Sequence, residues 1–193
     1  MNANVGMVYP VVAKVSTYTP GTSITYTSGQ NVAEAVSASL AWNRADGHFY
    51  GDDIELDSDN GILGYTLSFE PSGLKDAERA LLLGDTLATS EYTVYGNAAP
   101  DVGFGYVRVM REKGTLSYEA WWFYKLKFGV TNEETRTKEQ SIEWRIPTLE
   151  GVGSGISLDS SGKLAFAVHR TYSSLSDAKG FLNTKAGIQG GGG

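Results

Sequence analysis

Alternation with a period of two runs through most of this chain, and a period near 3.6 interrupts it in two places. Between Ile62 and Glu70 the run ILGYTLSFE puts Leu63, Tyr65, Leu67 and Phe69 on one side of an extended backbone. Successive strand side chains point to opposite faces, so this segment is expected to be a strand with one buried face. Met7–Tyr18 is β-branched and partly alternating, and Pro10 restricts it to a sheet edge or a strand start. Ser23–Ser28 reads as a short polar strand. Val32–Arg44 alternates as well. Its alanines would suit a helix, but the serine spacing and the aromatic end at Trp42 fit a pleated surface better. Gly103–Lys113 and Thr115–Phe128 form a long hairpin turning at Gly114. Ser141–Ile146 and Leu164–Arg170 add two more strands.

The two helical interruptions are Leu74–Leu83 and Leu175–Leu182. The first has Leu74, Ala77, Leu81 and Leu82 on one stripe, Ser72 as its expected N-cap and Gly84 at the left-handed position past its end. The second has Ser174 as cap and turns Leu175, Ala178, Phe181 and Leu182 inward, with Gly180 weakening it.

The run SYEAWWFYKLKF, Ser117–Phe128, departs from simple alternation. One face carries Tyr118, Ala120, Trp122, Tyr124, Leu126 and Phe128, and should fill the core. The other is polar at its ends but holds Trp121 and Phe123 in the middle. A strand bordering one core needs one apolar face, so this pair requires a partner of its own.

Composition sharpens the picture. The 193 residues include 24 Gly, 11 Tyr and 5 Pro, which suits many strands joined by turns. No cysteine is present, which excludes disulfides, thiolate metal sites and a cysteine nucleophile. No apolar run spans a membrane and the first residues do not resemble a secretory signal, so a chain kept in the cytoplasm is expected. The formal charge is −6, and residues 1–100 carry 12 acids against 4 bases. Such a surface should not grip nucleic-acid phosphates. Without linkers or repeats, residues 1–186 read as one mostly-β α+β domain. Residues 187–193 are a glycine-rich tail expected to be disordered.

Candidate chemistry is sparse. The acids of Asp46–Gly61 carry no Lys or Arg among them, yet they fail the calcium-loop pattern. Counted from Glu55, Asn60 stands where the turn glycine is required and Thr66 where the final glutamate is required. A loop or hairpin arm is expected there. The histidines, His48 and His169, are far apart in sequence, and no nucleophile or phosphate-loop motif occurs. GFGYV, Gly103–Val107, lacks the third glycine of a dinucleotide fingerprint. It reads as a strand approached closely by other backbone. No catalytic residue, cofactor or metal ligand is expected.

Order and spacing carry a resemblance. GFGYVR (Gly103–Arg108), YEAWWFYKLKF (Tyr118–Phe128) and TKEQSIEWRIPTLEG (Thr137–Gly151), preceded by ALLLG (Ala80–Gly84) and VAEAVSASL with its acidic successor, resemble the major tail proteins of long-tailed, non-contractile bacteriophages. The resemblance implies an antiparallel β-sandwich or barrel-like fold with one flanking α-helix. It implies a non-enzymatic virion protein, assembled in the host cytoplasm. Subunits would close into hexameric rings and stack as a tail tube, with phage DNA passing unbound through the lumen. Partners would be the chain itself and the tape-measure, tail terminator and tail-tip proteins, with no membrane.

Under that resemblance the inter-ring arm would comprise Asp46, His48, Phe49, Tyr50, Asp52, Asp53, Ile54, Glu55, Leu56, Asp57 and Asp59. Glu119 and Glu143 are candidates for lumen-facing acids. Trp121 and Phe123 would meet either the chain's own helix or second sheet, or a neighbouring subunit. Alternatives are a tail terminator, a decoration protein or a bacterial secretion tube. From another class comes a carbohydrate-binding sandwich using Trp42 and Trp144.

Overall fold

The computed structural model describes residues 3–32, 34–51, 54–59, 61–89, 91–96, 98–132 and 146–188. The strands are β1 (Ala3–Thr19), β2 (Ser23–Asn31), β3 (Ala35–Arg44), β4 (Gly47–Gly51), β5 (Ile54–Asp59), β6 (Ile62–Pro71), β7 (Thr86–Ala88) and β8 (Glu91–Thr93). They continue as β9 (Val102–Glu112), β10 (Thr115–Asn132), β11 (Thr148–Ser154), β12 (Ile156–Ser157), β13 (Leu164–Ala165) and β14 (Ala167–Tyr172). The helices are α1 (Asp76–Leu83) and α2 (Leu175–Ala186). The chain is a mostly-β α+β fold built on one large antiparallel sheet of order β2-β1-β9-β10-β11-β6-β3, with β14 pairing beside β11 on the same edge of β10.

Strand β10 organises this sheet. Its first half lies between β9 and β14, with Trp121 opposite both Tyr106 and His169. Its second half pairs with β11, Leu126 opposite Gly153 and Phe128 opposite Gly151. Between Phe123 and Leu126 the chain advances three residues while β9 advances two, from Phe104 to Val102. That extra residue is a β-bulge, which bends a strand and shifts its phase. Ala120, Trp122 and Tyr124 therefore face α2, whereas Phe123, Leu126 and Phe128 face the sandwich interior. The single apolar face expected for Tyr118–Phe128 is two faces joined at a bulge. Phase counting from sequence assumes an unbroken pleat, and the pleat is broken here.

Two tyrosines, half-buried Tyr26 and fully buried Tyr65, secure the bulge from opposite sides. Tyr26 Oη donates to Tyr124 O at 2.8 Å, and Tyr65 Oη donates to Lys125 O at 3.1 Å. Burial pushes both hydroxyls well above the ordinary tyrosine pKa.

The bend creates two cores. The interior one gathers Tyr65, Leu67 and Phe69 of β6, Phe104 of β9, Phe123, Leu126 and Phe128 of β10, and Leu82 of α1. The other lies between the sheet and α2, and gathers Val11, Val107, Ala120, Trp122, Ala178, Leu182 and Ala186. Trp122 is completely buried there. A Cβ on Gly103 would come within 2.4 Å of its indole, and one on Gly105 within 2.7 Å of the indole and 2.8 Å of Leu182. The small residues of GFGYV thus make room chiefly for a tryptophan ring and a helix. Of the backbone approach expected there, only Trp121 O near Gly105 is found.

Other differences concern element ends. Helix α1 starts at Asp76, two residues later than expected. Its cap position is Lys75, whose N–H donates to the Glu78 carboxylate at 3.0 Å, while the Ser72 N–H is taken by Glu34 O. Gly84 does adopt the left-handed conformation, with φ 80°. Helix α2 is capped by Ser174 and runs four residues further than expected, to Ala186. Among the described residues two flanking helices are present where the family resemblance implied one. Leu63 shares the pattern of Tyr65 but sits at the rim, 68% exposed. At the hairpin tip, Lys113 and Gly114 both have positive φ (46° and 89°), the backbone that matches a tight two-residue turn to strand twist. Of the expected strand Ser141–Ile146, all but Ile146 lies outside the described residues.

Candidate functional site

Among the described residues no three His, Cys, Asp or Glu side chains gather as a metal-binding group, and no helix is long and apolar enough to cross a membrane. The features that could do something are surfaces: a bare sheet face, an open strand edge, a projecting hairpin and an aromatic stack.

The bare face belongs to β11, β6 and β3. The cross-strand rows set its chemistry: Ser39, Ser68 and Glu150 in one row, Ala41, Thr66 and Val152 in the next. Glu70 accepts a hydrogen bond from Ser37 at 2.6 Å. The inward side of these strands holds Leu40, Trp42, Tyr65, Leu67, Phe69 and Leu149. Nothing from the described chain covers the outward side, whose Val152 is 58% exposed. At its margin Lys127, opposite Val152, reaches Asp101 at 3.9 Å. This is a surface of hydroxyls, small groups, Val152 and two carboxylates, with Lys127 at its margin.

Its boundary strand β3 has no hydrogen-bonded strand beyond it among the described residues, although part of it lies close to β1. β3 pairs with β6 on one side and ends the strand order on the other. Edge strands are normally blunted by proline, lysine or inward charge. Ala35–Arg44 has none of these before its last residue, and Val36 is 54% exposed.

From the far ends of β3 and β6 the chain continues into a hairpin. Ala45 N–H donates to Gly61 O at 2.7 Å, and β4 then pairs with β5 from Gly47–Asp59 through Gly51–Ile54. This places most of the expected arm: His48, Phe49, Tyr50, Ile54, Glu55, Leu56, Asp57 and Asp59 lie on a two-stranded ribbon separate from the main sheet. Asp46 leads into it and lies 3.0 Å from His48 Nε2. Asp52 and Asp53 lie outside the described residues.

Trp121 and Phe123 part company. Phe123 is fully buried between Tyr65 and Tyr106, with ring centroids 5.2 and 6.0 Å away. It has no surface to offer a second chain. Trp121 is half-buried at the mouth of the interior. His169 stacks on it at 4.5 Å and 17°, the Arg108 guanidinium lies 5.1 Å from its ring centre, and its Nε1 donates to Glu119 at 3.2 Å. Glu119 in turn sits 3.5 Å from Arg108. The expected lumen acid Glu119 is therefore tied into a local charge pair, and Glu143 lies outside the described residues. The Trp121 ring is already engaged by its own chain, and Trp42 is packed edge-on against Tyr65 and Phe166. Neither is an open platform for a sugar. Trp144 lies outside the described residues.

The strand-borne acids of the bare face are Glu70 and Glu150, neither of which was expected from sequence. For Glu70 the signal was available, one step out of phase with Phe69. For Glu150 it was not, because the inward neighbours on β11 include Gly151 and Gly153 in place of large apolar residues.

The chain matches no protein-family model, and a search of curated proteins finds no match.

Proposed function

We propose that this chain is a structural subunit that assembles with copies of itself into rings stacked as a tube, in the manner of the phage tail proteins it resembles. The observation that carries the reading is the asymmetry of the sandwich. One outer face is sealed by α2, while the other is bare, hydroxylated and acidic and ends in the open edge of β3. A face of this kind suits a channel wall past which a polyanion slides. Glu70 and Glu150 repel phosphate, and the short side chains leave little to catch on. The open edge suits backbone pairing with a neighbour, and a head-to-tail contact whose rotation closes makes a ring. The β4–β5 hairpin is the projecting element available to reach a second ring.

Electron microscopy of negatively stained, purified protein tests this. Rings or tubes with a central hole are expected, and Glu70 and Glu150 should line that hole at higher resolution. A protein that stays monomeric at high concentration, or a tube whose lumen is lined by Lys and Arg, would refute it.

A further inference from the structure

Where α2 ends its cover of the sheet, a strip of exposed arginine and half-buried tyrosine crosses three strands. Arg111 of β9 lies opposite Leu116 of β10, Tyr118 of β10 lies opposite Tyr172 of β14, and Ala120 lies opposite Arg170. Leu116, Tyr118 and Ala120 alternate along β10 and so share the face that carries Trp122 further on. Tyr118 and Tyr172 pack at the border of the α2 core, while Leu116 stays 44% exposed. The Arg170 guanidinium lies 5.3 Å from the Tyr172 ring centre. Tyrosine and arginine around an exposed leucine are the residues that dominate protein interfaces, because they bury large area at low entropy cost and keep polar tips.

We propose that this strip is the seat of the β4–β5 hairpin of a second copy of the chain. Strip and hairpin are complementary in charge and in residue type. The strip presents Arg111 and Arg170, with Lys113 at the adjoining turn; the acids beside it in the chain are Glu112, between Arg111 and Lys113, and Asp177 on the first turn of α2. The segment 46–61 carries Asp46, Asp52, Asp53, Glu55, Asp57 and Asp59 with no Lys or Arg, and places Phe49, Tyr50, Ile54 and Leu56 among them. Acids answer the arginines, and the apolar residues answer Leu116 and the two tyrosines. This rests on the self-assembly reading above and names its contact.

The absence of cysteine makes a clean test possible. Tyr50→Cys and Leu116→Cys variants of the full chain are prepared separately, mixed and oxidised with copper phenanthroline, with Arg111→Cys as a second acceptor in case Leu116→Cys folds poorly. A covalent dimer is expected in the mixtures and not in either variant alone. Adding Arg170→Glu to the acceptor should lower the yield about tenfold, as should high salt, because the contact is electrostatically assisted. Microscopy of the same mixtures separates the two readings. Rings or tubes without the mixed disulfide overturn the proposed seat and leave the tube standing. The mixed disulfide without rings or tubes supports the seat and removes the tube. A disulfide in either variant alone overturns the seat, since it shows like positions meeting each other.

Discussion

The outer face of β9 and β10 beneath α2 and the outer face of β11, β6 and β3 are both sheet surfaces of one chain, yet they follow opposite plans. The first pairs glycines with a large ring. Gly103 and Gly105 leave a socket, Trp122 fills it, and Leu182 and Ala186 close it from above. The second has side chains of even, modest height and no lid. On the inward side of the same strands the glycine device returns, since a Cβ on Gly153 would lie 2.0 Å from Tyr65. Glycine–aromatic sockets thus occur on both packed sides of the sheet, and among the described residues none is found on the bare face. The contrast teaches that the bare face is not an unfinished core.

The contrast can be broken at graded positions. Trp122→Ala should cost about 3–5 kcal/mol, since it empties a filled socket, and urea unfolding would register it. Gly153→Ala should cost about 1–3 kcal/mol through overpacking against the Tyr65 ring, read in the same way. If instead it proves harmless, β11 does not hold its place against β6 as described.

Alkaline pH probes the bulge between the two plans. The unfolded tyrosine value is 10.0, and burial raises Tyr26 and Tyr65 above it in the folded chain. The folded state therefore keeps protons that the unfolded state loses. The associated stability is fully present below pH 10 and falls as pH rises toward the folded values. Chemical denaturation between pH 8 and 11 should show the midpoint falling only in the upper part of that range. Tyr65→Phe should flatten part of the fall.

Trp121→Ala should cost only about 1–2 kcal/mol, the sum of a stacking and a cation–π contact at a half-exposed ring. Glu150→Gln on the bare face should stay within about 0.5 kcal/mol of the parent. A larger loss in either monomer would mean that the surface is already working within the chain.

Much of this architecture was legible in the chain. Tyr65, Leu67 and Phe69 announced β6, the Gly114 turn announced the long hairpin, and Ala35–Arg44 was recognisable as a strand despite its alanines. Gly84 and Ser174 marked a helix end and a helix start. What stayed hidden has physical causes. β11 alternates in burial, but Gly151 and Gly153 stand where hydrophobic residues would signal it. The β10 bulge leaves no mark in composition, so Leu126 and Phe128 were grouped with Trp122, although they face the interior and Trp122 faces α2. The pair Trp121 and Phe123 looked equivalent by period two, yet their environments differ. The interior is closed over Phe123 by Tyr65 of β6, whereas Trp121 lies beyond that cover against β14. Of the surface features, the acidic hairpin could be read from charge and spacing. The bare face could not, because it depends on which strands become neighbours.

The continuity of β10 through its bulge has a mechanical consequence. A load applied to the bare face does not have to cross from one half of the sandwich to the other through side-chain contacts, which slide. It travels along the covalent backbone of one strand into the β9 and β14 ladders, where many hydrogen bonds must shear together before anything yields. A wall built of such subunits would stretch as a fabric with one thread running from its inner to its outer layer, and would resist peeling of those layers.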